Sequence, residues 1–185
     1  MNNYIIAISG LSGASKTTTG KALAEKLSAS LIDQDEFFDS YIPEVTLSNG
    51  HKRKCYDCDT AIDIVKFNQK ILKEKENHQV IVIAGFSLRS YFFIQRTQPN
   101  IHFHLTIDKE LSLQTRLEVK NFSDERKADE LLMFNEYVFP YYQQTLSESK
   151  IDHDIFVISN NGERRPINDI LDVICEKLSI PSRTG

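Results

Sequence analysis

An apolar segment followed by small residues and a lysine, near the start of the chain, most strongly constrains the fold. Residues 4–9 are Tyr-Ile-Ile-Ala-Ile-Ser, and Gly10 follows them. A run this apolar that stops at a glycine is typical of a parallel strand buried on both faces of a sheet. Residues 16–28 carry small and apolar side chains in a helical pattern. The sequence therefore predicts a strand, a tight turn and a helix in direct succession.

The turn between them has the spacing of a phosphate-binding loop. Gly10 is followed by four residues and then by Ser15-Lys16-Thr17, while the P-loop pattern is G-x-x-x-x-G-K-[ST] between a strand and a helix. Backbone N–H groups of such a loop converge on phosphate oxygens at the positive end of the helix dipole. The lysine reaches the β- and γ-phosphates, and the next hydroxyl binds Mg²⁺. We therefore predict ATP and Mg²⁺ as cofactors, with the nucleotide bound by Gly10, Ser12, Gly13, Ala14, Ser15, Lys16, Thr17 and Thr18.

Ser15 departs from the pattern, which has glycine at this position. If the backbone there adopts a positive φ, a residue with a Cβ costs about 1–2 kcal/mol. Gly13 and Ala14 still keep the loop small enough for a phosphate to approach. The alternative is a chance match on a turn rich in glycine and serine, and the strand–loop–helix context argues against it.

Strands and helices alternate along the rest of the chain, which predicts an α/β protein with a mostly parallel sheet and helices on both faces. We expect a three-layer P-loop NTPase fold: one domain over residues 1–185, with a five-stranded sheet and a short helical lid at 118–130. The predicted strands are 4–9, 29–32, 80–84, 101–107 and 155–159. The predicted helices are 16–28, 59–76 capped by Asp59 or Thr60, 109–120, 123–148 kinked at Pro140, and 166–178, with 47–58 as an exposed loop or short hairpin.

Composition limits the partners and the compartment. The net charge is −4, whereas nucleic-acid-binding proteins usually carry a basic patch. No apolar run approaches the ~18–20 residues that span a bilayer, and the first residues lack the basic segment of a signal peptide. The three cysteines form no disulfide framework. We expect a cytoplasmic monomer or homodimer that binds a small molecule rather than nucleic acid or a membrane.

Carboxylates follow the second predicted strand, at Asp33, Asp35 and Glu36. Ligands of parallel α/β sheets gather at the carboxyl ends of the strands, so these side chains are expected near the phosphate loop. A carboxylate there can accept the proton of an attacking hydroxyl group. Aspartate is also favoured at helix starts, so a solvated helix cap is an equally good interpretation of composition alone.

Several segments together resemble the uridine kinase superfamily, and its nicotinamide riboside kinase branch most. The similarity covers most of the chain in the right order. The segments are Ser9-Gly10 with Lys16-Thr17-Thr18, Gln34-Asp35-Glu36-Phe37-Phe38, Tyr56-Asp57, Ile83-Ala84-Gly85-Phe86-Ser87-Leu88 and Phe134-Asn135-Glu136-Tyr137-Val138-Phe139-Pro140-Tyr141.

The resemblance implies a catalytic set of Lys16, Asp35 and Arg116. Asp35 matches a carboxylate that acts as base on a 5′-hydroxyl and organises Mg²⁺, here together with Thr17. Arg116 precedes the lid, where the family places arginines that clamp phosphates, and the planar guanidinium suits that contact. Lys120 and Arg126 flank the lid and can assist. The alternative for Arg116 is a charge on a helix surface.

The resemblance also implies an acceptor site. Asp57 matches a carboxylate that holds ribose hydroxyls, and Tyr56 matches an aromatic that packs on the base or pyridine ring. Phe38 is expected beside them as a substrate-binding residue. Two positions depart from the family: Ala84 replaces an acidic residue of the outer Mg²⁺ shell, and Met133 replaces a ring-clamping aromatic.

The first functional hypothesis is a nucleoside kinase that phosphorylates the 5′-hydroxyl of nicotinamide riboside, uridine or a similar ribonucleoside. The second is a kinase of another small hydroxyl compound, such as pantothenate or a sugar phosphate. Asp57 suits a vicinal diol, whereas an anionic acceptor needs more basic residues in its pocket. The third is a non-catalytic nucleotide-binding module, which Ser15 and Ala84 motivate.

Other clusters are interpreted structurally. Cys55 and Cys58 with His51 make three ligands, fewer than a structural zinc site needs. A redox role is not expected either, because thioredoxin-like C-x-x-C motifs start a helix after the first strand. The basic residues 51–54 are expected to form a solvated loop, or else a flap that attracts an anionic nucleotide. His102 and His104 are expected to be sheet residues rather than ligands.

Overall fold

Parallel strands form the central sheet, as predicted. The computed structural model describes residues 3–119, 123–160 and 162–179. Its strands are β1 (Tyr4–Gly10), β2 (Ser30–Asp33), β3 (Glu44–Thr46), β4 (Lys52–Lys54), β5 (Val80–Gly85), β6 (Ile101–Thr106) and β7 (His153–Phe156). Five of them make one sheet in the order β2-β5-β1-β6-β7, and every neighbouring pair is parallel. The carboxyl ends of these strands therefore meet at one edge.

Helices cover both faces of the sheet. They are α1 (Lys16–Leu27), α2 (Ile64–Asn77), α3 (Lys109–Val119), α4 (Asp124–Met133), α5 (Phe139–Glu148) and α6 (Ile167–Lys177). Successive side chains of β1 point to opposite faces. Ile8 belongs to a buried cluster with Leu23 of α1 and Ile174 of α6, whereas Ala7 belongs to a second cluster with Phe67 of α2. The expected three layers are confirmed.

The second predicted helix starts later than expected. α2 begins at Ile64 rather than near residue 59, and its cap is Asp63 rather than Asp59 or Thr60. The carboxylate of Asp63 accepts a bond from the backbone N–H of Lys66 at 2.9 Å. Asp59–Ala61 forms a separate 3₁₀ turn. The prediction was wrong at this boundary because an aspartate can cap either turn, and packing decides which.

The long helix predicted at 123–148 is divided. A π-helical segment, Phe134–Val138, separates α4 from α5 immediately before Pro140, where the kink was predicted. The predicted lid, 118–130, corresponds to the end of α3 and most of α4, but Lys120 and residues 121–122 lie outside the described residues.

The segment predicted as a loop or short hairpin is the β3–β4 hairpin, which is exposed and is also anchored to α4. Asp129 of α4 is 2 % exposed and accepts bonds from the Asn49 side chain at 2.7 Å and from His51 at 2.9 Å. Arg53 also forms an ion pair with Asp129. The expectation of a solvated basic run holds for His51, Lys52 and Lys54, which are exposed, while Arg53 is half-buried in its ion pair with Asp129.

His102 and His104 are buried sheet residues, as expected. Ser9 lies between them, with its Oγ 2.7 Å from Nε2 of His102 and 3.0 Å from Nδ1 of His104. Burial lowers the pKa of each imidazole to about 4, so both rings are neutral at pH 7. The network holds the end of β1, directly before Gly10.

Candidate functional site

The loop between β1 and α1 presents backbone donors at the amino end of α1. Among the bonds formed by the described residues, none uses the backbone N–H of Gly13, Ser15, Lys16 or Thr17. These groups lie where the helix dipole is positive. They fit the phosphate oxygens of ATP, which is the ligand that the sequence predicts here.

Gly10 is needed because the loop passes close to β6. A Cβ at this position would lie 2.5 Å from the carbonyl oxygen of Leu105. That contact is closer than a backbone atom can tolerate, so only glycine lets the chain leave β1 along this path.

Ser15 adopts a left-handed conformation, with φ 65° and ψ 25°. This is the case for which the sequence predicts a strain of about 1–2 kcal/mol. Arg164, in the segment after β7, donates to the Ser15 hydroxyl at 3.1 Å and to the Gly13 carbonyl at 2.7 Å. Arg164 thus holds the loop from outside. The sequence analysis did not predict this role of Arg164, because the sequence shows only two adjacent arginines, Arg164 and Arg165, after a turn.

Ser15→Gly is expected to raise the free energy of unfolding by about 1 kcal/mol, because glycine adopts positive φ without a Cβ penalty. The left-handed conformation belongs to the folded chain, so its strain weakens folding. Urea denaturation measures the change. Ser28→Gly is the matched control, since Ser28 at the end of α1 has φ 52° and lies away from the loop. Both variants should be stabilised, and a destabilised Ser15→Gly would contradict the strain.

Lys16 lies against the loop and is surrounded by carboxylates. Its Nζ donates to the carbonyl oxygen of Leu11 at 3.2 Å. Burial lowers the pKa of the ammonium group, although the charges of Asp35, Asp57 and Asp33 oppose that shift. The predicted catalytic carboxylate and the predicted acceptor carboxylate therefore lie within electrostatic range of the lysine of the phosphate loop.

Thr17 is bonded to Asp33 rather than to Asp35. Its hydroxyl donates to Oδ2 of Asp33 at 2.9 Å, and Oδ1 of Asp33 accepts a bond from the backbone N–H of Asp35 at 3.1 Å. Hydroxyl and carboxylate oxygens are the donors that Mg²⁺ prefers, so this set fits the ion. Thr17 and Asp35 remain the predicted metal residues, and Asp33, at the end of β2, joins them.

Within the described parts of the chain, no three His, Cys, Asp or Glu side chains cluster as a metal site by themselves. Mg²⁺ is usually bound by one or two carboxylates together with substrate phosphates. Ala84, where the resemblance to uridine kinases implies a further carboxylate, is fully buried against α1, and a Cβ on Gly20 would lie 3.3 Å from its side chain. A bulkier acid would be crowded there.

Arg116 connects three parts of the site. It donates to the Ser12 hydroxyl at 3.1 Å and to Oδ2 of Asp57 at 2.9 Å, and it forms an ion pair with Glu130 of α4. Burial opposes the charge, but Asp57 and Glu130 outweigh it and raise the pKa of Arg116. The residue is only 9 % exposed, so the alternative of a surface charge is wrong. Its phosphate-clamping role stays a prediction.

A cleft of about 280 Å³ lies beside the phosphate loop. It brings together most of the predicted acceptor and catalytic residues. The rings of Phe38 and Tyr56 pack edge to face with centroids 5.1 Å apart. The lining residues are Ser12, Gln34, Asp35, Phe38, Tyr56, Asp57, Cys58, Asp59, Ile62, Phe86, Ser87, Phe92 and Arg116.

A second cavity of about 520 Å³ shares Tyr56 and Arg116 with this cleft. It lies between the β3–β4 hairpin and α4. Its charged lining has five basic residues, Lys52, Arg53, Lys54, Arg116 and Arg126, against three acidic ones, Glu44, Asp129 and Glu130. The sequence did not predict this basic cavity, because the hairpin and α4 are far apart in the chain.

The chain has the α/β fold found in P-loop kinases, and solved structures share it. A shikimate kinase from Acinetobacter baumannii has a TM-score of 0.52 and 18 % identity, with 99 % of this chain and 96 % of that chain covered. A gluconokinase from Sinorhizobium meliloti 1021 has a TM-score of 0.50 and 13 % identity, with 96 % of each chain covered. The comparisons therefore support the P-loop kinase fold that the resemblance to uridine kinases implies, but they do not single out that family.

Sequence comparison gives a partial match. A gluconokinase from Arabidopsis thaliana is 33 % identical over 92 residues, which are 48 % of this chain and 45 % of that protein. The chain thus matches less than half of the length of this curated relative. No protein-family model matches the sequence. None of the helices in the described ranges is long and apolar enough to cross a membrane.

Proposed function

We propose that this protein transfers the γ-phosphoryl group of ATP, with Mg²⁺, to a hydroxyl group of a small molecule. The observation that carries the proposal is the convergence of Lys16, Thr17, Asp33 and Asp35 at one edge of the sheet, beside a cleft that Arg116 closes. Phosphoryl transfer is catalysed mostly by positioning and charge stabilisation, which these residues can supply. The kinases similar in fold and sequence support the same reaction class.

Each residue has a role in this proposal. The loop amides and Lys16 bind the β- and γ-phosphates, and Thr17 with the nearby carboxylates would hold Mg²⁺, which would neutralise phosphate charge. Asp35 orients the acceptor hydroxyl and accepts its proton. Arg116 leaves Asp57 or Glu130 to contact the transferred phosphoryl group as the helical lid closes and excludes water.

A ribonucleoside such as nicotinamide riboside or uridine is the first candidate acceptor. The cleft offers an aromatic pair, Phe38 and Tyr56, for a planar ring, and the Asp57 carboxylate for two vicinal hydroxyls. With the ring on Tyr56 and the diol at Asp57, the 5′-hydroxyl is expected to lie at Asp35.

An anionic polyol, such as a sugar acid or a sugar phosphate, is the second candidate, and the basic cavity favours it. An acceptor whose hydroxyl lies at Asp35 can extend past Tyr56 and place its anionic group between Lys52, Lys54 and Arg126. The gluconokinase relative points to the same chemistry.

ADP release from Mg·ATP, measured across ribonucleosides, neutral polyols and anionic polyols, tests the function. We expect one class to raise ADP production far above the rate without acceptor, and Lys16→Met to abolish that increase. If ATP binds but no acceptor raises ADP production, the chain is a nucleotide-binding module and the proposed reaction is wrong. A monomer or homodimer remains the expected state.

The double variant Lys52→Gln/Lys54→Gln separates the two acceptor classes. Two exposed ion pairs contribute about 0.2–1 kcal/mol each, so the KM of an anionic acceptor should rise about twofold to thirtyfold. The KM of a ribonucleoside should not change. Lys73→Gln, an exposed lysine on α2, is the matched control. An unchanged KM for every anionic acceptor would contradict the use of the basic cavity.

A further inference from the structure

Two cysteines enclose the acceptor residues in a single tight turn. Cys55 follows β4 directly, Cys58 precedes the 3₁₀ turn Asp59–Ala61, and Tyr56 and Asp57 occupy the middle of the turn. The first and fourth Cα atoms of such a turn lie within about 7 Å. A disulfide spans about 4.4–6.8 Å between Cα atoms, so the backbone is compatible with a bond between these two residues.

The two cysteines already interact. The Cys58 thiol donates to the carbonyl oxygen of Cys55 at 3.1 Å, and each thiol shifts the pKa of the other. Cys55 is fully buried, whereas Cys58 lines the acceptor cleft and can be reached from it. Cys58 is therefore the sulfur that meets a reagent first, and Cys55 is placed to react second.

The polar surroundings of Cys58 favour this order. A hydrogen bond from the Cys55 thiol, with further bonds from Thr60 and the Ala61 N–H, lowers the pKa of Cys58 to about 6. The same contact with Cys58, together with burial, raises the pKa of Cys55. A thiolate is the nucleophile in thiol–disulfide exchange, and it is available at Cys58 at neutral pH.

We propose that Cys55 and Cys58 form a reversible thiol–disulfide site, which oxidised low-molecular-weight disulfides convert to a bond across the acceptor turn. The Cys58 thiolate attacks the small disulfide RSSR, forms a mixed disulfide with one RS group and releases the other as RS⁻. Cys55 then loses its proton and attacks the Cys58 sulfur, which expels the second RS⁻. The protein dithiol thus loses two electrons and two protons, and RSSR becomes two RSH.

The bond changes the acceptor site, a consequence that rests on the proposed function. Bonded sulfurs are about 2.05 Å apart, so the Cys55 and Cys58 side chains must rotate toward each other and fix the turn between them. That constraint acts on Asp57, which is 2.9 Å from Arg116, and on Tyr56, whose ring packs on Phe38. If the acceptor loses one charged hydrogen bond to Asp57, worth about 1.5 kcal/mol, the KM of the acceptor should rise about tenfold. The KM of ATP should not change, because the phosphate loop lies outside the turn.

The test is incubation of the full chain with oxidised glutathione, followed by intact mass and peptide mapping. We expect the loss of two hydrogen atoms and a peptide linked through Cys55 and Cys58, reversed by dithiothreitol. Cys175→Ser, at a buried cysteine of α6, should form the same bond. Cys55→Ser should accumulate glutathione on Cys58, and Cys58→Ser should form neither product. No linked peptide in wild type, or linkage through Cys175, would overturn the proposal.

Kinetics of the oxidised and reduced chain complete the test. Oxidation of the wild-type chain should raise the KM of the acceptor and leave the KM of ATP unchanged. Cys55→Ser that has not been treated with glutathione should show no such rise. An unchanged acceptor KM in fully oxidised protein would refute the effect on the acceptor turn. If the bond forms in a chain that phosphorylates no acceptor, the thiol site stands and the proposed function fails. The two failures are therefore distinguishable.

Discussion

Asp35→Asn is expected to lower kcat by about 10²–10⁴-fold, the range for the loss of a general base. Asparagine keeps the size of the side chain but cannot accept the proton of the acceptor hydroxyl. Asp35 lines the acceptor cleft and interacts electrostatically with Lys16, so a base here faces both substrates. Steady-state ADP release at saturating Mg·ATP measures the loss, and the KM of ATP should change little.

The neighbouring Glu36 is the matched control for this prediction. It lies in the same short 3₁₀ helix, Gln34–Phe37, and is exposed, but it does not line the cleft. Glu36→Gln should therefore keep the wild-type kcat while removing one negative charge from the same surface. Full activity of Asp35→Asn, or an equal loss in both variants, would show that Asp35 is not the base.

The fold was largely predictable because its signals are local. The apolar run of β1, the glycine after it and the lysine of α1 are adjacent in the chain, and so they define the strand, loop and helix without tertiary information. The parallel sheet followed from alternation of strands and helices. The strain at Ser15 was predictable for the same reason, since a position that needs glycine was occupied by another residue.

The rest of the site depends on contacts between distant residues. Arg164 reaches Gly13 from 151 positions away in the chain, and no local pattern marks it. Asp33 was recognised as part of an acidic segment, but only the fold shows that it, rather than Asp35, accepts the Thr17 hydroxyl. The pairing of Arg116 with Asp57 was missed because the two residues are 59 positions apart in the chain and each was assigned to a ligand.

A second buried arginine connects elements that border the cleft. Arg89, after β5, is 1 % exposed and has no signal in the sequence. It forms ion pairs with Asp59 and, at 2.9 Å, with Glu148 at the end of α5. Its Nε donates to the Thr145 hydroxyl at 3.1 Å. Arg89 therefore joins α5 to the 3₁₀ turn that follows the acceptor residues.

Arg89→Met is expected to lower the free energy of unfolding by about 3 kcal/mol, the lower end of the cost of breaking a buried ion pair. Methionine fills much of the space but removes the cation that neutralises Asp59 and the Nε donor to Thr145. The partly exposed Glu148 lessens the penalty because water can solvate it. Urea denaturation measures the change.

Arg96→Met, at an exposed arginine, is the control and should stay within about 0.5 kcal/mol of wild type. Adding Asp59→Asn to Arg89→Met should recover part of the loss, because it removes the unpaired charge. If Arg89→Met were as stable as Arg96→Met, the buried network would contribute no net stability, and the arginine would be retained for the shape of the cleft instead.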